Sequence, residues 1–152
     1  MAIKLMYITN RPDVAIIAER YGVDRIFVDM EYIGKEQRQP GDTVKSYHTI
    51  ADVANIRSVV SSSEVLVRVN PITEANGSFI GSQREIEEII LAGTDVIMLP
   101  MVKRVEEVKL FSQYVGDRAK KMLLLETREA MESLDEILSL GLIDEVDRKS
   151  VV

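Results

Sequence analysis

Three charged residues, Asp29, Arg68 and Glu126, each lie near the carboxyl end of a short apolar segment, and Pro100 directly follows a fourth such segment. If these segments are parallel strands of one sheet, their carboxyl ends share an edge, and two acids and an arginine converge there. Carboxylate oxygens suit a hard divalent cation, and an arginine binds an anionic substrate through paired N–H groups. The spacing therefore predicts a cation and anion site at this edge.

Structural roles are the alternative for the same residues. Asp29 or Arg68 alone could cap the next helix or form an ion pair, whereas Glu126 ends so apolar a run that a local role explains it less well. Burying a charged side chain without a partner costs roughly several kcal/mol. His48, the single histidine, falls at a loop-to-helix boundary on the same expected side. Its position favours a capping or surface residue over a proton carrier.

Five alternations of strand-like and helix-like segments should position these residues. Segments that are apolar on both faces and are followed by helices predict a parallel sheet with helices outside and right-handed crossovers. The predicted strands are Ile3–Ile8, Arg25–Met30, Glu64–Asn70, Asp95–Leu99 and the run from Met122 to Glu126, with a sixth beginning at Ile143–Val146.

Helix signals separate the strands. Thr49 with Asp52 favours a helix start, and Ser82 with Glu85 has the spacing of a capping box. Ile33–His48 is too polar for a core and is predicted to be a long loop. A helix should follow Glu126 directly, because the apolar residues there recur at helical spacing: Ala130, Met131, Leu134, Ile137 and Leu138.

Composition excludes several classes of protein. The 152 residues suffice for one domain with a core, and the net charge of −6 argues against a nucleic-acid partner. Cysteine is absent, which excludes disulfides and thiolate metal sites. No apolar run is long enough to span a membrane, and the N-terminus lacks the features of a signal peptide. We expect a cytoplasmic protein.

Four segments in order resemble one family. Leu125–Leu138, which reads Leu-Glu-Thr-Arg-Glu-Ala-Met-Glu-Ser-Leu-Asp-Glu-Ile-Leu, is similar to the fifth-strand signature of the HpcH/HpaI aldolase and citrate lyase β-subunit superfamily. Ala92–Val102 resembles its fourth-strand motif, Val67–Pro71 its third-strand arginine motif, and Phe27–Tyr32 its second-strand acidic motif. The resemblance extends over about residues 3–146.

The resemblance implies an α/β fold, a parallel (β/α) barrel of TIM type, here truncated to about five βα units plus the start of strand six. It also implies a Mg²⁺ or Mn²⁺ cofactor and a carbon–carbon lyase that acts on a 2-oxo acid or acyl thioester through an enolate. By motif, Glu126 is a metal ligand, Arg68 binds substrate and steadies the enolate, Asp29 and Glu31 lie beside the proton-transfer site, and Pro100 lines the substrate. A full-length member is expected to form a homo-oligomer.

The sequence departs from the family pattern at three places. Tyr32 stands where the aldolase branch has a histidine, and Leu124 stands where that branch has a glutamine. The second metal carboxylate of the family belongs to a loop after strand six, and residues 147–152 do not resemble that continuation. One frame of a common sequencing adapter translates as those six residues. We therefore expect 1–146 to be the N-terminal part of the barrel and 147–152 to be a non-native tail.

The leading hypothesis is a metal-dependent lyase that is weak or inactive as this chain. Two alternatives remain open. One is a half-barrel that serves as a binding or assembly module without catalysis. The other is a barrel that retains metal and anion binding but has lost lyase activity, which Tyr32 and Leu124 would allow.

Overall fold

Six parallel strands form a curled half-barrel with helices alternating between them. The computed structural model describes residues 3–35 and 47–148. Each strand pairs with the next in the sequence, so the order in the sheet is β1 to β6. The strands are β1 Met6–Ile8, β2 Arg25–Asp29, β3 Glu64–Arg68, β4 Val96–Leu99, β5 Lys120–Leu125 and β6 Glu145–Arg148. The predicted parallel α/β architecture is confirmed.

The helices of the described residues lie in the crossovers between strands. They are α1 Pro12–Arg20, α2 Ile50–Val59, α3 Ser82–Leu91, α4 Val105–Val115, α5 Arg128–Glu132 and α6 Leu134–Ser139. No helix in these two ranges is both long and apolar enough to cross a membrane. Most of the predicted loop Ile33–His48 and residues 149–152 lie outside the described ranges, whereas Asp147 and Arg148 belong to β6.

Several boundaries differ from those predicted. Thr49 and Asp52 form the expected capping box, but Ser82 does not, because Gly81 is the N-cap of α3 and no side chain caps it. The single helix predicted after Glu126 is two short helices that meet at Ser133. The break turns part of the predicted apolar stripe outward, so Met131 is 43% exposed.

The core has two layers because alternate strand residues point to opposite faces. The outer layer packs the sheet against the helices and contains most of the buried aliphatic side chains, including Val28, Val67 and Phe111. The inner layer lies on the concave face of the sheet. It consists of Leu66, Val96, Met98, Met122 and Leu124, with Phe27 partly buried against it.

A buried ion network occupies the amino-terminal end of the concave face. Arg25 on β2 is 1% exposed. Its Nε donates to Glu64 Oε2 at 2.8 Å, and its Nη1 and Nη2 donate to the two carboxylate oxygens of Glu145 at 2.6 and 2.7 Å. Since β2 and β6 are not neighbours in the sheet, this contact crosses the concave face. It therefore fixes the curvature of the half-barrel.

A two-point clamp recurs at the start of every second strand. In each case the backbone N–H of an aspartate donates to the carbonyl of a residue at the start of the preceding strand. The Oδ2 of that aspartate accepts the N–H of the residue that supplies the carbonyl. The clamp joins Asp24 to Leu5, Asp95 to Val65 and Asp144 to Lys121, with amide-to-carboxylate distances of 2.8, 2.8 and 2.7 Å. The half-barrel is thus three repeats of a two-strand unit.

Gly93 makes the second clamp possible. Its φ is +98°, and a Cβ built there would lie 2.6 Å from Cγ of Arg57. That arginine is held at both sides of its guanidinium, by Asp95 Oδ2 at 2.7 Å and by the carbonyl of Val60 at 2.6 Å. Its stem therefore cannot move aside without breaking these bonds.

Gly93→Ala is expected to lower the free energy of unfolding more than Gly22→Ala does. Gly22 has a similar φ of +83°, but a Cβ there meets nothing within 4 Å. The left-handed backbone alone should cost about 1–2 kcal/mol in both variants. The clash with Arg57 should add about 1–3 kcal/mol at Gly93. Urea unfolding of both variants measures the difference, and equal losses would contradict this account.

Candidate active site

Asp29 and Arg68 meet at the carboxyl end of the sheet. They are register partners on β2 and β3. Arg68 Nε donates to Asp29 Oδ1 at 2.9 Å, and its Nη2 donates to Asp29 Oδ2 at 2.8 Å. Lys35 Nζ also donates to Oδ2, at 2.8 Å. The predicted convergence of Asp29 with Arg68 is confirmed.

Both partners are charged at neutral pH. Burial opposes ionisation of Asp29, but the hydrogen bonds and charges of Arg68 and Lys35 outweigh it and hold the pKa of that carboxyl below its usual range. Burial likewise opposes the charge of Arg68, yet Asp29 raises the pKa of the guanidinium, with smaller contributions from Glu31 and Glu126. Asp29 is therefore a fixed anion that orients Arg68.

Glu31 and Phe27 complete the surroundings of Arg68. Glu31 is 3% exposed, and its carboxylate lies 3.5 Å from Arg68 Nε. Its backbone N–H donates to Asp29 Oδ1 at 3.3 Å. The ring of Phe27 lies 5.6 Å from the guanidinium carbon, within range of a cation–π contact. Arg68 is thus held against two carboxylates and an aromatic ring.

Glu126 lies at the end of β5 and contacts the loop after β4. The N–H of Met101 donates to Glu126 Oε1 at 3.2 Å, and Met101 adopts a left-handed φ of 53°. The next residue, Thr127, donates to the carbonyl of Val102 and caps α5 by accepting the N–H of Ala130. Two consecutive residues therefore fix the β4 loop to the end of β5.

Pro100 lies in the same loop. It is buried, and it directly follows β4. Its position at the carboxyl edge of the sheet agrees with the predicted location, while a role in substrate binding stays a prediction. Pro100 fixes its own φ and so begins the turn that Met101 continues in left-handed conformation.

Sequence reasoning missed the burial of Lys35 and the hydrogen bonds of His48. The side chain of Lys35 is 4% exposed although it belongs to the segment predicted as a polar loop, where no local pattern marks it as buried. His48 does not cap α2, since Thr49 is the N-cap. Instead its Nδ1 accepts the N–H of Asp29 at 2.9 Å, and its own N–H donates to the Asp29 carbonyl at 3.3 Å. Burial lowers the pKa of His48, so its ring is neutral. His48 thus continues the hydrogen bonding at the end of β2.

The two departures from the family pattern occupy different surroundings. The hydroxyl of Tyr32 donates to the carbonyl of Ser78 at 3.3 Å, and its ring meets that of Phe79 edge to face at 6.3 Å. Tyr32 therefore joins the segment after β2 to the loop after β3. Leu124 is 5% exposed among the apolar residues of the concave face, where its side chain contributes to packing.

The residues that are described do not supply a complete metal site. Within 3–35 and 47–148, no three His, Cys, Asp or Glu side chains are grouped so that they could hold a metal ion. Glu126 has the oxygen chemistry that Mg²⁺ and Mn²⁺ prefer, and it could be one ligand. Among the described residues, Glu126 is not part of a group of three such side chains.

A buried carboxylate, Glu85 in the first turn of α3, lies behind the site. It is 2% exposed. Its Oε2 accepts the N–H of Asn70 at 3.1 Å, and its Oε1 accepts Asn70 Nδ2 at 2.6 Å. Burial raises the pKa of Glu85 to about 7, although the two hydrogen bonds from Asn70 oppose the shift.

This raised pKa predicts a pH-dependent stability. Because the folded state keeps the proton of Glu85 where the unfolded state has lost it, stability should fall as pH rises from about 4.5 to about 7, by up to roughly 3 kcal/mol. Glu85→Gln should remove this contribution. Urea unfolding at several pH values measures it, with Glu88→Gln, at a partly exposed position on the same helix, as the control. Parallel pH profiles for the wild type and Glu85→Gln would contradict it.

An arginine and acids from separate strand ends meet at the carboxyl edge of this half-barrel, the edge at which TIM-type barrels carry their active sites. The chain belongs to the HpcH/HpaI aldolase/citrate lyase family, whose model matches residues 4–147. Members of this family are aldolases and lyases and generally depend on a divalent metal.

Comparison with solved structures agrees with the fold. The chain is similar to an HpcH/HpaI aldolase from Desulfitobacterium hafniense DCB-2, with a TM-score of 0.69 and 18% identity. The match covers 96% of this chain and 62% of that one, so the chain spans less than two thirds of the aldolase. No curated protein matches the chain.

Proposed function

We propose that the chain is part of a carbon–carbon lyase that acts on a 2-oxo acid or acyl thioester through an enolate. In this proposal Arg68 binds the carboxylate and oxo oxygens of the substrate and stabilises the negative charge that develops on the enolate oxygen. Asp29 and Glu31 orient the guanidinium. Pro100 lines the substrate, and Glu126 supplies one carboxylate to a Mg²⁺ or Mn²⁺ ion, whose chemistry would be to polarise the oxo group.

The observation that carries the proposal is the held position of Arg68. Its side chain is 14% exposed, so the guanidinium is fixed yet still reaches solvent at the carboxyl edge. Among the residues that the structure describes at this edge, Asp29, Glu31 and Glu126 outnumber Arg68 and Lys35 in formal charge. An anionic substrate alone would therefore meet a slightly negative site, whereas a substrate bound together with a divalent cation balances it.

Calorimetric titration with oxalate, a planar mimic of an enolate, tests the proposal. The chain should bind oxalate with a Kd of about 1 mM or tighter when Mg²⁺ is present, and more weakly without it. No heat of binding with either Mg²⁺ or Mn²⁺ would overturn the proposal. Because the described residues do not complete a metal site, we propose that the 152-residue chain alone cleaves 4-hydroxy-2-oxo acids weakly or not at all.

An assembly role has its own supporting observation. The edge strand β1 exposes apolar side chains, with Met6 at 37%, Tyr7 at 48% and Ile8 at 50%. An exposed apolar edge strand is prone to pair with another chain. We propose that the whole protein forms a homo-oligomer. Sedimentation analysis would favour the binding-module alternative if this chain forms a stable dimer that binds no oxalate.

The remaining alternative is a barrel that binds without catalysis. Tyr32 and Leu124 replace two polar residues of the aldolase branch, and both side chains have structural contacts in this fold. Binding of metal and a 2-oxo acid by the complete protein, without enolisation or cleavage, would favour this alternative over the lyase.

A further inference from the structure

A chain of buried hydrogen bonds links α3 to the segment that follows β2. Glu85 accepts the backbone and side-chain N–H groups of Asn70, which is itself 0% exposed. On its other side, Asn70 Oδ1 accepts the N–H groups of Tyr32 at 2.9 Å and Ile33 at 3.0 Å. The link therefore runs from a helix on the outside of the sheet to the loop above its carboxyl edge.

The polarity of the link allows one arrangement of the Asn70 amide. When Glu85 is ionised its carboxylate can only accept, so Asn70 Nδ2 faces it, and Asn70 Oδ1 must face the two backbone N–H groups, which can only donate. With Asn70 so fixed, the backbone at Tyr32 and Ile33 is held in one place. A reversed amide would oppose donors to donors and acceptors to the carboxylate.

The segment held in this way carries a residue of the site. Glu31 directly precedes Tyr32, its N–H donates to Asp29 Oδ1, and its carboxylate lies 3.5 Å from Arg68 Nε. A shift of the backbone at Tyr32 would carry Glu31 with it and change the position of the acid against Arg68. The hydrogen bonds of the link thus reach Tyr32, which directly follows Glu31, the second carboxylate beside the Arg68 guanidinium.

We propose that Glu85 is a positioning residue that acts through Asn70 on the Asp29–Ile33 segment and so holds Glu31 against Arg68. The consequence for the reaction rests on the proposed function, while the positioning itself is a property of the folded chain. Merely starting α3 does not require this residue, because the helix is capped at Gly81 without any side chain. A buried carboxylate is costly unless it is hydrogen-bonded. Both carboxylate oxygens of Glu85 accept hydrogen bonds from Asn70.

An exchange of the two polar groups tests this role. Glu85→Gln places an amide N–H against a donor of Asn70, and Asn70→Asp places two carboxylates against each other. In the double variant the introduced amide donates to the introduced carboxylate, whose other oxygen still accepts from Tyr32 and Ile33. Each single variant should therefore be impaired, and the double variant should recover. Glu88→Gln, which removes a charge that pairs with Arg84 on the same helix, is the matched control.

Two readouts separate positioning from stability. At about pH 8, where Glu85 is ionised, the amide resonances of Tyr32 and Ile33 and the Nε–H resonance of Arg68 should shift in both single variants. The Arg68 resonance should return in the double variant, whereas the two amides there donate to a carboxylate and keep a shift of their own. With Mg²⁺ present, oxalate affinity should fall about tenfold in each single variant and return to within about threefold in the double variant. Glu88→Gln should change neither readout.

Unchanged resonances of Tyr32, Ile33 and Arg68 in a folded single variant would overturn the inference, even if urea unfolding showed lower stability. Failure of the double variant to restore the Arg68 resonance would also overturn it. If the wild type binds no oxalate, the proposed function fails, whereas the resonances still decide the role of Glu85. If Asn70→Asp does not fold, Glu85→Gln alone carries the resonance test.

Discussion

Replacing Arg68 with alanine is expected to weaken oxalate binding by roughly tenfold to a hundredfold, because a charge-assisted hydrogen bond contributes about 1.5–3 kcal/mol. Arg68→Lys should lose less, since it keeps the charge but not the paired N–H groups. Calorimetric titration of both variants with oxalate and Mg²⁺ measures the effect. We expect the affinity for oxalate to be lowest for Arg68→Ala, higher for Arg68→Lys and highest for the wild type.

The control for this experiment is Arg118→Ala. Arg118 pairs with Glu87 on the outside of the fold, where its side chain is 45% exposed. The Arg118→Ala variant should bind oxalate as the wild type does. Thermal unfolding should accompany each titration, since removal of Arg68 leaves Asp29 with Lys35 as its remaining cationic side chain. Equal affinities of Arg68→Ala and Arg118→Ala would show that Arg68 does not bind the ligand.

Replacing Arg25 with methionine is expected to give a large loss of stability. The variant keeps an unbranched side chain of similar length but leaves Glu64 and Glu145 facing each other at the amino-terminal end of the concave face. Removal of one partner from a buried ion pair costs about 3–5 kcal/mol. The carboxylates are each a little over one quarter exposed, so solvent should reduce the loss toward the lower figure.

Urea unfolding measures this loss, and Arg11→Met is the matched control. Arg11 also pairs with a carboxylate, that of Asp13, but at an exposed position in front of α1. Its replacement should leave the unfolding curve nearly unchanged. Adding Glu145→Gln to Arg25→Met should recover part of the stability, because Glu145 has lost both hydrogen bonds from Arg25 and keeps Lys4 at 3.8 Å. Equal curves for Arg25→Met and Arg11→Met would contradict a structural role for the network.

The sequence predicted the parts of the site that depend on strand periodicity. Asp29 and Arg68 each end an apolar strand, and parallel strands place their carboxyl ends at one edge, so their contact followed from the pattern. Glu126 was placed at the same edge for the same reason. These predictions needed no knowledge of side-chain conformation, because the register of neighbouring strands brought the residues together.

The sequence could not predict contacts that depend on where a side chain turns. Ser82 and Glu85 have the spacing of a capping box, but Glu85 turns inward to Asn70 instead, a choice that local spacing cannot reveal. Lys35 belongs to a segment whose polar sequence predicts a loop, and only the packed fold shows that its stem is buried and its amine reaches Asp29. The same limit applies to Ser133, where one continuous apolar pattern forms two helices.

Exchange of the methyl protons of pyruvate for solvent deuterium tests the central claim most directly, because it reports formation of the enolate without requiring carbon–carbon cleavage. Proton NMR in heavy water, with Mg²⁺ or Mn²⁺ present, follows the loss of the methyl signal. We predict that the wild type exchanges these protons slowly but faster than buffer with metal alone. Arg68→Ala should abolish the exchange, and Arg118→Ala should preserve it. Exchange no faster than in buffer, or equally fast in Arg68→Ala, would contradict an enolate site organised around Arg68.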